Sequence, residues 1–172
     1  MIFVTVGTHE QQFDRLVKKM DEIKRRGSVR DEVVIQTGYS SYHPESCTWR
    51  QWFDYDEMCE YVRNARIVIT HGGPASFLLP VQMGKVPVVV PRQKKYAEHV
   101  NDHQLEFVRA VRSMGAGIIV AEEMDELDRI LADYDGCVRQ GHRSAFGSSN
   151  NLRFNRQLEL LTEDMFGSGH AR

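Results

Sequence analysis

Short runs of apolar residues alternate along the chain with segments in which apolar and charged residues are mixed. Most of these runs are rich in Val and Ile, which is typical of strands buried on both faces of a sheet. The predicted strands are residues 2–6, 33–37, 67–70, 86–90 and 118–120, and a further short strand is indicated at 48–53.

The segments between these runs have the spacing of amphipathic helices. In the first of them, Phe13, Leu16, Val17 and Met20 recur at intervals of one, three or four residues among charged side chains. Strands that alternate with helices predict an α/β fold, with a Rossmann-like, mainly parallel sheet and helices on both faces. The further predicted helices are residues 56–65, 74–83, 105–115 and 122–132.

The C-terminal part of the chain has a different composition. Residues 141–151 are polar and rich in Gly and Ser, which indicates a linker. Residues 152–166 place apolar side chains three or four apart, which predicts an amphipathic helix that packs either on its own domain or on a partner. We therefore divide the chain into a domain at 1–140, this linker, this helix and a frayed tail at 167–172.

Composition narrows the class of protein. The chain has 172 residues, the length of one domain, and a formal net charge of −2 from 22 basic and 24 acidic residues. These charges form no basic run, so we expect no nucleic-acid partner. Cys47, Cys59 and Cys137 are odd in number and far apart, which favours reduced thiols in the cytoplasm over a disulfide framework. The pattern predicts neither a signal peptide nor a membrane span.

Three predicted loops carry residues suited to ligand binding at the carboxyl ends of strands, where open α/β sheets bind their ligands. The first loop is Gly7-Thr8-His9. Gly7 allows the backbone to approach a phosphate, and Thr8 adds a hydroxyl donor. His9 could accept a proton as a general base or donate a hydrogen bond to a phosphate. An ordinary turn is the alternative for the whole loop.

The second loop is Thr70-His71-Gly72-Gly73-Pro74-Ala75-Ser76. Pro74 suits the first turn of a helix, whose free N–H groups would form a cradle for an anion together with the Ser76 hydroxyl. Neither a Walker A loop nor a G-x-G-x-x-G fingerprint is present, which disfavours ATP and NAD. A structural glycine-rich turn is the alternative. Because Pro80 would free the Ser76 carbonyl and kink a helix beginning at Pro74, we expect an irregular or late-starting helix.

The third loop, residues 91–104, is long and polar and leads into a helix. His99 and His103 would share a helical face and could imitate a metal site with Asp102, but H-E-x-x-H is absent, so we expect no metal and no cofactor. Asn101 and Gln104 fit a capping box. The alternative is that Asp102 and Gln104 form paired hydrogen bonds with the hydroxyls of a sugar.

Two long stretches of the chain resemble a known family. They are "MIFVTVGTHEQQFDRL" and "THGGPASFLLPVQMGKVPVVVPRQKKYAEHVNDHQLEF". Both are similar to the C-terminal donor domain of the GT-B glycosyltransferases of family 28, and within that family to the small subunits of bacterial exopolysaccharide and capsule glycosyltransferases. Strings of this length are far more specific than a single glycine motif.

The resemblance implies a UDP-sugar donor and assigns parts of it to the three loops. Gly7 and Thr8 would approach the diphosphate, the turn from Gly72 to Ser76 would bind the diphosphate and ribose, and His103 with Gln104 would bind hydroxyls of the donor sugar. Family members commonly hold the ribose with an acidic residue where this chain has Leu79. The ribose contact is therefore expected to differ here.

The resemblance also implies a partner. A complete GT-B enzyme has two domains, and this chain matches the donor half, so a membrane-associated subunit would supply the acceptor domain. We expect the donor-binding, catalytic subunit of an inverting hexosyltransferase at the cytoplasmic face of the membrane, with His9 as the candidate general base. Galactose, by family analogy, would be moved to a polyprenyl-diphosphate-linked saccharide in exopolysaccharide or capsule synthesis.

Two alternatives stay open for this assembly. One is a stand-alone homodimeric glycosyltransferase, and the other is a non-catalytic subunit that only binds the nucleotide sugar. In the two-subunit reading, the His9 loop and part of the Arg92–His99 segment are expected to contact the partner, because both substrates must meet beside the donor cleft.

Overall fold

The computed structural model of the chain describes residues 1–115 and 117–145. Within them lies one six-stranded sheet in which every neighbouring pair of strands is parallel, in the order β3-β2-β1-β4-β5-β6. The strands are β1 (Ile2–Thr5), β2 (Val33–Gln36), β3 (Thr48–Arg50), β4 (Ile67–His71), β5 (Val88–Val90) and β6 (Ile119–Val120). The predicted Rossmann-like sheet is therefore confirmed.

Helices connect these strands and cover both faces of the sheet. They are α1 (Asp14–Arg25), α2 (Tyr55–Asn64), α3 (Pro74–Gln82), α4 (His103–Ser113), α5 (Met124–Ala132) and α6 (Tyr134–Ala145), with a single 3-10 turn at Lys94–Tyr96. Local sequence sets some of their ends. The Asp54 carboxylate accepts a hydrogen bond from Glu57 N and the Glu57 side chain accepts one from Asp54 N, a capping box that starts α2.

The alternation of side chains along β1 shows how the two faces are filled. Ile2 and Val4 point to one face and pack with the apolar sides of α1 and α5, whereas Phe3 points to the other and packs with Val62 of α2. These three side chains of the four in β1 are completely buried. Burying one such side chain stabilises the fold by roughly 1.5–3 kcal/mol, so this central strand is a rigid support for the loop that follows it.

The structure corrects two expectations about the helices. Helix α3 begins at Pro74 and includes Pro80, so it does not start late; the proline deprives only the Ser76 carbonyl of its helical partner. Helix α6 was not predicted, and it continues to Ala145, so the linker cannot begin at residue 141. The rest of that linker, the helix predicted at 152–166 and the tail at 167–172 lie outside the described residues.

The strand order places two of the predicted ligand-binding loops side by side. From β1 the chain proceeds outward through β2 and β3 in one direction, and from β4 outward through β5 and β6 in the other. Thr5, at the end of β1, is paired in register with Thr70 of β4. A crevice opens where the direction of winding reverses, and ligands of such sheets bind there. Among residues 1–115 and 117–145, no helix combines the length and apolar character needed to cross a membrane.

Candidate binding site

A cleft of about 660 Å³ lies at this reversal, between the ends of β1 and β4 and the starts of α2 and α3. Eight of the twelve residues predicted for the site line it, namely Gly7, Thr8, His9, His71, Gly73, Pro74, Ser76 and Gln104. Loops that are far apart in sequence thus meet in one cavity, because parallel strands end at the same edge of the sheet.

His71 is the organising side chain of the cleft. Its Nδ1 accepts a hydrogen bond from Gly73 N at 3.0 Å, and its Nε2 is hydrogen-bonded to the Ser76 hydroxyl. Burial, reinforced by the charge of Arg92, lowers the pKa of His71 to about 3, so the ring is neutral at physiological pH. A neutral ring whose Nδ1 accepts must carry its proton on Nε2, which donates to Ser76 and leaves the serine hydrogen free for a ligand.

The glycines of the first two loops make room for this imidazole. A Cβ on Gly7 would stand 2.3 Å from His71 Nε2, and a Cβ on Gly73 would stand 2.4 Å from His71 Cε1. Gly7 also has a positive φ of 76°, which favours glycine independently. The prediction that these glycines admit a phosphate is therefore incomplete, because the His71 ring fills the space beside both of them.

The start of α3 lines the cleft, and Ala75 N is the first-turn donor left for a ligand, because Pro74 has no N–H and Ser76 N donates to Gly73 O at 3.1 Å. Gly73 is the N-cap and provides no side-chain cap, and Pro74, Ala75 and Ser76 form the first turn that lines the cavity. First-turn N–H groups lack the usual helical partner four residues earlier, and the helix dipole places partial positive charge there. Together with the Ser76 hydroxyl, this end of the cleft is suited to an anion.

His9 lies at the rim of the cleft, with its ring centroid 4.7 Å from that of His99. Its Nδ1 accepts a hydrogen bond from Gln11 N at 3.2 Å. Burial, then the neighbouring His99 and Arg92, lower the pKa of His9, which favours a neutral ring with its proton on Nε2. In this arrangement the His9 Nδ1 lone pair that a general base needs is already engaged, and Nε2–H remains available as a donor.

Gln104 links two loops through its side-chain oxygen, a role that the sequence did not predict. Its Oε1 accepts hydrogen bonds from Gly72 N at 3.1 Å and from Arg92 N at 3.2 Å, so it joins the loops after β4 and β5. Helix α4 starts after Asp102 without a side-chain cap, so the predicted capping box of Asn101 and Gln104 is wrong. The Gln104 oxygen is also unavailable for the predicted contact with a sugar, which leaves only its amide N–H groups.

The remaining predicted site residues lie outside the cleft. Gly72 is buried against Gln104, His99 flanks His9, and the Asp102 carboxylate accepts a hydrogen bond from Lys94 N at 2.8 Å. His103 is exposed, with its Nδ1 3.2 Å from the Asn101 amide nitrogen. In the described part of the chain, no three His, Cys, Asp or Glu side chains come together in a way that could hold a metal ion.

The far end of the cleft is apolar and was not predicted. Phe53, Met58, Val62 and Leu79 line it, and Thr5 and Gln36 form part of its floor. The apolar residues of α2 have ordinary core spacing, so nothing in the sequence distinguishes them from buried packing residues. Leu79, which stands where the family commonly has an acid, belongs to this apolar end.

Arg92 does not have the exposed position expected of a partner contact. Its side chain is completely buried, whereas Tyr96 in the same segment is 38% exposed. The Arg92 guanidinium donates to carbonyl oxygens of Val6, Gln11 and others, because an interior charge needs such partners. The expectation that Arg92 contacts a partner protein is therefore wrong.

A parallel sheet with this strand order and an anion-suited cleft at the reversal defines a nucleotide-binding type of α/β domain. Within that class, the profile of the glycosyltransferase family 28 C-terminal domain matches residues 1–155. The chain belongs to this family, as its sequence motifs predicted.

Curated relatives carry the same kind of domain. The human protein named UDP-N-acetylglucosamine transferase subunit ALG13 is 32% identical over 123 residues, which is 66% of this chain and 10% of that protein. The mouse protein of the same name is 32% identical over 122 residues, with the same two shares. The chain therefore matches about a tenth of the length of these relatives.

Solved glycosyltransferase structures share the fold. The glycosyltransferase SnogD from Streptomyces nogalater matches 93% of this chain and 39% of its own chain, with 19% identity and a TM-score of 0.51. The glycotransferase of kitacinnamycin matches 95% and 42%, with 18% identity and a TM-score of 0.57. At these identities the likeness concerns the fold, which is the predicted single Rossmann-like half of a GT-B enzyme.

Proposed function

We propose that this chain is the donor-binding subunit of an inverting glycosyltransferase whose donor is a UDP-sugar. The observation that carries the proposal is the hydrogen bond between His71 Nε2 and the Ser76 hydroxyl beside the first turn of α3, in a cleft that is also lined by apolar side chains. Such a cleft suits a ligand with a doubly charged diphosphate at one end and a flat, weakly polar ring at the other.

The proposed placement of the donor follows from these two ends. The diphosphate accepts hydrogen bonds from the Ser76 hydroxyl and the Ala75 N–H, with the His9 Nε2–H as an additional donor at the rim. The uracil ring lies against Phe53, Met58 and Leu79, and the sugar points toward the Gln104 amide. With Leu79 in place of an acid, the ribose hydroxyls depend on other partners than a carboxylate of α3.

Calorimetric titration with UDP, ADP and GDP tests this placement. We expect UDP to bind more tightly than either purine nucleotide, as a UDP-sugar donor requires. Equal affinity for the three diphosphates would contradict a UDP-sugar donor while leaving an anion site intact.

The proposed reaction is an attack by an acceptor hydroxyl on the anomeric carbon of the donor sugar, with inversion and departure of UDP. The α3 N-terminus and Ser76 stabilise the negative charge that develops on the leaving diphosphate. The acceptor hydroxyl must lose a proton to a general base. Since His9 engages its Nδ1 lone pair with Gln11 N, we assign the base to the acceptor-binding partner.

The acceptor is proposed to be a polyprenyl-diphosphate-linked saccharide that a membrane-associated partner subunit holds at the cytoplasmic face of the membrane, in exopolysaccharide or capsule synthesis. Family membership and the relatives named as a transferase subunit support a two-part enzyme. The chain also matches about two fifths of the solved glycosyltransferases with this fold, which leaves room for an acceptor domain. Galactose is our proposed sugar, and UDP-N-acetylglucosamine is the competing donor because of the relatives' name.

Transferase assays separate the two-subunit enzyme from its alternatives. The chain alone, the chain with a co-expressed partner of the acceptor-domain type, and the partner alone are incubated with UDP-galactose or UDP-N-acetylglucosamine and a lipid-linked acceptor. Activity only in the pair supports the proposal. Full activity of the chain alone indicates a homodimeric enzyme, and equal activity of the partner alone indicates a non-catalytic role for the chain.

A further inference from the structure

Arg92 lies beneath the rim of the cleft and contacts the loop after β1 at several points. Its side chain is completely buried. Nη2 donates to Val6 O at 2.8 Å, and Nη1 donates to Gln11 O at 2.8 Å and Gln12 O at 3.0 Å. These carbonyls bracket the segment that carries Thr8 and His9, so one guanidinium holds both ends of that segment.

Arg92 is itself held in place by Gln104, Glu98 and Phe13. Its backbone N–H donates to Gln104 Oε1, and Nη1 also donates to Glu98 O at 3.1 Å. Its guanidinium lies over the Phe13 ring, 4.8 Å from the ring centroid. Burial lowers the pKa of Arg92 to about 10 while the nearby Glu98 carboxylate opposes that shift, so the side chain stays charged at physiological pH.

The residue that Arg92 holds, Gln11, also sets the state of His9 through the neighbouring peptide. Arg92 binds the carbonyl oxygen of Gln11, and the N–H of the same residue donates to His9 Nδ1. Fixing Gln11 keeps its N–H on His9 Nδ1, which favours the His9 proton on Nε2. Arg92 and Gln11 do not themselves line the cavity, whereas His9 does.

We propose that Arg92 is a positioning residue that holds the Thr8–His9 segment, and the Nε2–H tautomer of His9, ready for the diphosphate of the donor. This inference rests on the proposed function for the identity of the ligand. The role of Arg92 in fixing the loop stands on the contacts alone. The arginine guanidinium is planar and directs several N–H donors at fixed angles, so it can bind these carbonyl oxygens together. A lysine ammonium cannot reproduce this geometry.

The test compares Arg92→Met and Arg92→Lys with a matched control, Arg15→Met. Arg15 belongs to the same buried network and donates to the Glu98 carboxylate at 2.8 and 2.9 Å, but it does not bind the loop after β1. Its replacement leaves a buried carboxylate underpaired, so its loss of thermal stability serves as the reference for a purely structural defect. Arg92→Lys retains the charge and decides the question if Arg92→Met does not fold.

Binding of UDP and of uridine is measured for each protein by NMR titration. We expect the Arg92 variants to bind UDP roughly tenfold to a hundredfold more weakly, as for loss of hydrogen bonds to a charged group, while uridine, which lacks the diphosphate, binds as before. Arg15→Met should retain wild-type affinity for both. Parallel losses for UDP and uridine in the Arg92 variants, or an equal UDP loss in Arg15→Met, would overturn the proposal.

Long-range proton–nitrogen NMR spectra of His9 supply a readout that does not depend on UDP. We expect a single Nε2–H tautomer in the wild type and in Arg15→Met, and a mixture of tautomers in the Arg92 variants. A single unchanged tautomer in folded Arg92→Lys and Arg92→Met would overturn the positioning role. Failure of the wild type to bind UDP would instead refute the proposed function, and the His9 spectra would still decide the role of Arg92.

Discussion

The His71 imidazole and the Ser76 hydroxyl, five residues apart across the start of α3, share a hydrogen bond in which the ring is the donor. The direction follows from Gly73 N, which occupies the other ring nitrogen. A serine that accepts from a neutral imidazole has its own hydrogen left for a ligand oxygen. This pair therefore converts a glycine-rich turn into an oriented anion-binding donor.

Replacing Ser76 tests that orientation. We expect Ser76→Ala to weaken UDP binding roughly tenfold, since one hydrogen bond to a charged group is lost, with little change in thermal stability. Ser76→Thr retains the hydroxyl and is the matched control. Calorimetric titration of both variants gives the answer, and a Ser76→Ala protein with wild-type affinity would show that the hydroxyl does not meet the diphosphate.

Replacing Gly73 tests whether its role is to make room for His71. Gly73 has a φ of −71°, which any residue adopts, so Gly73→Ala should be harmful only through the 2.4 Å approach to the His71 ring. Overpacking of this kind typically costs about 1–3 kcal/mol of unfolding free energy. Chemical denaturation should therefore show that His71→Ala tolerates Gly73→Ala better than the wild type does.

The same substitution at Gly7, made in the wild type and in His71→Ala, is the control for this double-mutant comparison. At Gly7 a Cβ meets the same ring, but φ is 76°, so alanine there is strained even when the ring is absent. We expect His71→Ala to relieve the Gly7→Ala defect only in part. Additive effects of Gly73→Ala and His71→Ala would mean that contact with the ring does not explain the glycine.

Gln104 should contribute to stability through its side-chain oxygen. In Gln104→Ala the N–H groups of Gly72 and Arg92 lose their shared acceptor in a buried position, so we expect a loss of about 1–3 kcal/mol of unfolding free energy. Gln104→Glu retains an acceptor and should lose less at neutral pH. Thermal denaturation measures both, and an Ala variant as stable as the wild type would disprove the bridging role.

The stability of the fold should depend on pH through His71. Its pKa falls from the ordinary 6.5 to about 3 in the folded chain because of burial and the charge of Arg92. The unfolded chain therefore binds the proton first, so the stabilisation is complete above about pH 6.5 and is lost as the pH falls toward 3. His9, whose pKa is also lowered, acts in the same direction.

His71→Asn isolates this effect, since its Oδ1 can still accept from Gly73 N. We expect the melting temperature of the wild type to fall more steeply than that of His71→Asn between about pH 6.5 and 5, above the range in which most carboxylates titrate. Parallel curves for the two proteins would show that His71 is not the group responsible.

The sequence by itself was enough for the order of strands and helices up to α5 and for the first two loops of the site. Runs such as Val33–Gln36 and Ile67–His71 carry a local pattern of apolar residues, and that pattern depends on neighbours in the chain rather than on the finished fold. Because parallel strands end at one edge, the loops holding His9 and Ser76 could be placed together without coordinates.

Only the tertiary structure decided what the individual atoms in those loops do. The burial of Arg92, the two backbone donors on the Gln104 oxygen and the His71 ring between Gly7 and Gly73 join segments up to 86 residues apart. No local pattern encodes such contacts, because a polar residue in a loop has the same sequence signature whether it faces solvent, a ligand or a buried carbonyl. Which of these it meets is set by packing of the whole sheet, and that is where the chemistry of this cleft is determined.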